Sequence, residues 1–150
     1  RDPTVPMRQG TSLSRIGYPF NDVKVTRDPA TQQYAFQHIS VPIFPIEGIL
    51  TRQIDAGQHP LGYQEGYIET SSPGLKGQSG GPILDTKGRV WGIQSRTLNL
   101  SLGFDPEVPA EDGKKPKRRE HQFLNVGWGT RPEAVVGLLR EVDVSHQVGA

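Results

Sequence analysis

Three glycines and a proline crowd the hexapeptide Gly77-Gln78-Ser79-Gly80-Gly81-Pro82, which rules out both a helix and a regular strand through it. The stretch must be an irregular loop. Tyr63 to Thr70 before it reads as a strand, interrupted at Gly66 by a bulge. Pro82 to Asp85 after it is extended, and Thr86-Lys87-Gly88 makes a tight hairpin turn into Arg89 to Ser95. A serine hydroxyl held in such a loop is a poor nucleophile unless a base takes its proton and donors await the oxyanion. Flanking glycines permit that arrangement, because they adopt positive φ and bring bare N–H groups close to a substrate carbonyl. The same residues fit the G-x-S-x-G elbow of α/β-hydrolases, but that elbow runs from a strand into a helix. Here Pro82-Ile83-Leu84 leads into a hairpin instead. A structural glycine-rich turn is the bland alternative.

The rest of the chain is punctuated in the same way. With 150 residues, 18 glycines, 13 prolines and 33% hydrophobic residues, it suits one turn-rich, all-β domain with a modest core. The formal net charge of +1 implies no general attraction to nucleic acid or to an acidic membrane. There is no cysteine, hence no disulfide framework and no thiol-metal site, which fits a cytoplasmic or a bacterial exported protein. No apolar run is long enough to span a membrane, and the expectation is a soluble protein. The chain opens on Arg1 and reads as a piece of something longer, so any export signal lies beyond it.

Residues 1–10 read as a linker or arm, and 11–150 as the folded unit. Ser12 to Tyr18 alternates, with Leu13, Arg15 and Gly17 opposite Ser14, Ile16 and Tyr18. Asn21 to Thr31 is polar, with a turn at Asp28-Pro29. Gln33 to Ile39 reads as a strand. Pro42 and Pro45 place Ile43 to Ile46 at an edge or bend. Gly48 to Ile54 continues as strand to a turn at Gly57 to Pro60. Leu98 to Glu120 reads as a long irregular insertion holding the basic run that starts at Lys114. With Glu107, Glu111, Asp112 and Glu120 nearby, that run reads as a solvated loop. His121 to Val126 is a last strand. Thr130 then caps a helix, with Glu133 completing a capping box and Pro132 in the first turn. Its apolar face comprises Ala134, Val135, Leu138, Leu139 and Val142. The sum is about seven strands and one helix.

In this order the elements resemble the C-terminal half of a chymotrypsin-fold, bacterial trypsin-like serine peptidase. The resemblance runs from roughly Ser12 to Val142. Its residues are the hexapeptide at Gly77, Ile16-Gly17-Tyr18-Pro19-Phe20, Glu47-Gly48-Ile49-Leu50, Tyr67-Ile68-Glu69-Thr70 and Gly88-Arg89-Val90-Trp91-Gly92-Ile93. It implies an antiparallel barrel of six to seven strands with a C-terminal helix, the second barrel of such a peptidase. Carried over by position, it implies Ser79 as nucleophile and the N–H groups of Gly77 and Ser79 as oxyanion hole. It places Ser95, Arg96 and Thr97 beside an extended substrate backbone, and Pro73 and Gln94 in the walls of the primary specificity pocket. Gln78 falls in the same substrate-binding segment, where it replaces the aspartate that zymogen-activated members pair with a new N-terminus. Pro73 is not acidic, which argues against simple selection of Arg or Lys. Gln94 is not histidine, which argues against the glutamate-selecting group.

Such a peptidase takes its histidine and aspartate from the first barrel. The chain order His38, Asp55, Ser79 imitates a triad, but His38 and Asp55 sit on what read as second-barrel strands. His59, His121 and His146 are scattered. The expectation is therefore that this chain is a C-terminal fragment, inactive alone. Its partners would be a peptide or protein substrate and the N-terminal half of the same protein, or a second copy where that half is missing. No nucleic acid, membrane, metal or cofactor is expected. The alternative is a catalytically inactive peptidase-like module that binds extended peptides or another subunit.

Overall fold

The computed structural model describes residues 6–20, 22–60, 62–108, 118–119 and 121–147. Among the described residues ten strands and one helix follow in order: β1 Ser12–Arg15, β2 Asp22–Arg27, β3 Tyr34–Ser40, β4 Ile46–Gln58, β5 Gln64–Thr70, β6 Pro82–Leu84, β7 Val90–Ser101, β8 Glu107–Val108, β9 Arg118–Arg119, β10 Phe123–Thr130 and α1 Pro132–Glu141. Six strands close an antiparallel barrel in the order β1-β4-β5-β10-β7-β6, with β6 returning to β1. The fold is all-β with one C-terminal helix, as the sequence implies, and its barrel is consistent with the chymotrypsin type.

Alternation builds the interior. Leu13, Leu50, Ile68, Ile83, Trp91 and Val126 are buried, one from each strand of the barrel. Met7 joins them, so the segment ahead of β1 contributes to the core, and the Gly10 N–H donates to the Leu50 carbonyl at 2.8 Å. Closure depends on β4, which serves two neighbours. Its first residues pair with β1 and the rest with β5. The register slips between Leu50 and Arg52 and again between Asp55 and Gly57, and each extra residue bends the strand. The irregularity expected at Gly66 thus falls on the partner strand opposite it.

Several elements differ from the sequence reading. The polar stretch after Asn21 forms β2, paired with β3 in a hairpin outside the barrel. β4 runs through the expected turn to Gln58, and β7 continues six residues beyond Ser95 because β10 pairs with it to Ser101. The basic residues at 114–117 lie outside the described residues; Arg118–Arg119 pairs with β8. The helix is capped by Arg131, not Thr130, and no side chain bonds its first turn. Thr130 is committed to the sheet between Tyr67 and Ile93, which removes it from capping. Glu133 pairs instead with the Arg131 guanidinium at 3.3 Å. Leu138 and Val142, expected to face the core, are 53% and 57% exposed. No helix among the described residues is long and apolar enough to cross a membrane.

Candidate active site

The serine loop joins β5 to β6 and is braced from three sides. The Tyr18 N–H donates to the Gly77 carbonyl at 3.1 Å, which fixes that peptide from the end of β1. Gly77 has φ +94°, and a Cβ there would lie 2.6 Å from the Tyr18 carbonyl oxygen, so only glycine fits. On the far side the Gly80 N–H donates to the Gln94 carbonyl at 2.8 Å and the Gln94 N–H to the Gly81 carbonyl at 2.9 Å. From within, Gln78 is wholly buried. Its Oε1 accepts from the Leu75 N–H and its Nε2 donates to the Phe44 carbonyl, both at 2.9 Å. Gln78 therefore holds the loop's shape and does not face a ligand, a correction to its placement among substrate-binding residues.

The residues between these braces are left open. Ser79 and Gly77 are exposed. Neither their two backbone N–H groups nor the Ser79 hydroxyl has a hydrogen-bond partner among the described residues. Two backbone amides without an internal acceptor thus lie within three residues of one another, on either side of Gln78.

The neighbouring wall is β7. On its β6 side the pairing reaches Ile93, and Gly80 and Gly81 extend it to Gln94. From Ser95 onward that edge carries no strand among the described residues, and Ser95, Arg96 and Thr97 are exposed. The Thr97 hydroxyl donates to the Gly74 carbonyl at 2.6 Å, tying this edge to the segment that begins at Pro73. The Gln94 side chain packs against Gly74, and its Nε2 donates to the Arg96 carbonyl at 3.0 Å. Arg96 lies over the rings of Tyr67 and Trp128, 4.8 and 5.5 Å from their centroids. Trp128 donates its indole N–H to Glu69 at 3.0 Å, and Arg52 pairs with the same carboxylate at 2.8 Å. Burial alone would raise the Glu69 pKa, but bonds from Arg52, Trp128 and Thr51 outweigh it and hold the carboxyl below its ordinary range.

Three of the histidines have partners away from the serine loop. His59 stacks on Tyr63 at 4.5 Å, His121 bonds Asp105 at 3.1 Å and His146 bonds the Val144 carbonyl. The side chain of His38 lies outside the described residues, and Asp55 is held by Arg131 at 2.6 Å.

One residue of this region escaped the sequence reading. Arg15 shares the inward face of β1 with Leu13 and is 2% exposed. Its Nη1 donates to the Ser72 carbonyl at 2.6 Å and its Nη2 to the Thr70 hydroxyl, while Nε is buried without a partner. Burial draws its guanidinium down to about 10. The signal was present as a charged residue on the leucine face of an alternating strand.

A closed antiparallel barrel with a C-terminal helix, bearing an exposed serine in a glycine loop, is consistent with a serine-protease-like module. Comparison with known proteins agrees at that level. Over 72 residues the chain is 31% identical to the serine protease HTRA1 of Xenopus laevis and, equally, to that of Xenopus tropicalis. The match covers 48% of this chain and 15% of each relative, so the chain spans only a small part of their length. No protein-family model matches.

Proposed function

We propose that this chain is the nucleophile-bearing barrel of a trypsin-like serine endopeptidase, with its general base supplied from outside these residues by an N-terminal barrel. In this reading an extended substrate adds a strand to the open edge of β7 at Ser95 to Thr97. Pro73 and Gln94 flank the side chain that precedes the scissile bond. An imidazole takes the Ser79 proton as Oγ attacks the carbonyl carbon. The oxygen gains negative charge and accepts from the Gly77 and Ser79 N–H groups. The proton then passes to the leaving amine, the peptide bond breaks, and water releases the acyl group from Ser79 by the reverse sequence.

The observation that carries the reading is the pair of unpartnered amides at Gly77 and Ser79 beside an exposed hydroxyl. Without its base the site retains little: loss of a triad serine or histidine costs about 10⁶ in turnover. The 150 residues alone are therefore expected to be effectively inactive. A fluorophosphonate probe on the full-length protein tests the proposal. Labelling should occur at Ser79, vanish in Ser79→Ala and fall about 10²–10³-fold in Gly77→Ala, which displaces an oxyanion donor. Absence of labelling on a folded protein would instead support a peptide-binding module without catalysis.

A further inference from the structure

Arg15 presents a problem that the proposed chemistry does not solve. A guanidinium is charged at neutral pH, and burying an ion without a counter-ion costs several kcal/mol. Arg15 is buried, yet it forms no ion pair with a carboxylate among the described residues; its acceptors are the Ser72 carbonyl and hydroxyl and the Thr70 hydroxyl. Two other charged side chains of low exposure are paired, Glu69 with Arg52 and Asp85 with Arg89.

Its position suggests what completes it. Ser72 immediately precedes Pro73. The guanidinium also rests on Gly127, where a Cβ would lie 2.5 Å from Nη2, and Gly127 stands opposite Thr97 in the β7–β10 register. Thr97 in turn bonds Gly74. The cation thus touches Ser72 and Gly127, the neighbours in sequence and in register of the Pro73–Gly74 and Gln94–Thr97 segments that the proposed function assigns to the walls of the substrate pocket. A second buried polar atom without a partner, Gln94 Oε1, lies in the same wall.

We propose that Arg15 is a specificity-determining residue, forming the cationic base of the pocket and selecting an acidic side chain, glutamate foremost, at the residue before the scissile bond. This rests on the reading of Ser79 and β7 given above. It also replaces the expectation drawn from Gln94: where an imidazole is missing from β7, a guanidinium reaches the same pocket from β1. An ionised carboxylate and a guanidinium match in charge and in fork geometry. A lysine or arginine side chain would meet like charge.

Binding tests this separately from catalysis. C-terminally amidated octapeptides carrying Glu, Gln or Lys at the fourth residue, otherwise identical, are titrated into the full-length Ser79→Ala protein by fluorescence anisotropy. The Glu peptide should bind at least about 10-fold tighter than the Gln peptide, as expected for a charge-assisted pair, and the Lys peptide weakest. The Glu advantage should disappear in Arg15→Met and fade as pH falls through the ordinary Glu pKa of about 4.3. If Arg15→Met does not fold, the Glu-to-Gln ratio of the parent protein and its pH dependence still decide. Equal binding of Glu and Gln, preference for Lys, or no saturable binding of the Glu peptide would overturn the inference. Fluorophosphonate labelling reports the catalytic reading independently, so either can fail while the other stands.

Discussion

At the scale of single residues, charge and small size are used where the chain turns. Asp85 follows β6 and organises the hairpin to β7. Its Oδ1 accepts from the Lys87 and Arg89 backbone N–H groups at 2.9 and 3.0 Å, and its Oδ2 from the Trp91 indole and the Arg89 guanidinium at 2.9 and 2.8 Å. Burial would raise its pKa, but the bonds from Arg89, Trp91 and Lys87 prevail and lower it to about 2. The folded value lies below the unfolded one, so the stabilisation is complete above about pH 4 and is lost as pH falls toward 2. Asp85→Ala leaves the Trp91 indole and the turn amides without this acceptor. It should destabilise the chain by about 1–3 kcal/mol in urea unfolding at pH 7. The gap between variant and parent should narrow progressively below pH 4, and a constant gap would show that the carboxylate's ionisation is not what matters.

At the scale of elements, α1 docks through the absence of a side chain. A Cβ at Gly137 would lie 2.5 Å from Tyr63 Cδ1, so the ring packs directly on the helix backbone. His59 stacks on the same ring at 4.5 Å, which limits how far the ring can move. Gly137→Leu should raise intrinsic helicity and yet lose about 1–3 kcal/mol, because overpacking opposes docking. Unfolding midpoints in urea check the sign; a more stable variant would mean that the ring moves aside freely. The same elements explain what was legible in the sequence. Alternation and glycine-proline punctuation located the barrel strands, because each has one face in the core. β2 was read as a polar loop because its only apolar residues are Val23 and Val25, and its hairpin stands outside the barrel: Val25 on β2 and Phe36 on β3 are 53% and 72% exposed, so no core demands a stronger apolar pattern. The serine loop was legible from its glycines, whose φ values at 77 and 80 no other residue adopts readily. Arg15 was not, because a strand pattern says which way a side chain points and not whether a counter-charge waits there. Gln78 was misread for a related reason: its burial depends on the Phe44 carbonyl, remote in sequence.

At the scale of the whole molecule, the face around the serine loop is apolar. Phe20 and Phe44 meet edge to face at 4.8 Å, and Tyr18, Phe20 and Ile43 are 44%, 55% and 61% exposed. Tyr18 and Phe44 are also the residues whose backbones brace Gly77 and Gln78. A barrel supplying the missing base would have to approach Ser79 from nearby, and covering such side chains contributes roughly 25 cal/mol for each Å² of apolar surface removed from water. The proposed N-terminal half is the occupant this arrangement suits. In its absence the patch should drive self-association, because contiguous exposed apolar surface favours contact with a second copy. The 150-residue chain should therefore sediment with a mass that rises with concentration, and Phe20→Ser combined with Ile43→Ser should return it to a single chain. Adding the N-terminal half in trans should compete with that association and restore fluorophosphonate labelling at Ser79. A chain that remains monomeric at every concentration would separate the apolar face from assembly and leave the catalytic partner to dock elsewhere.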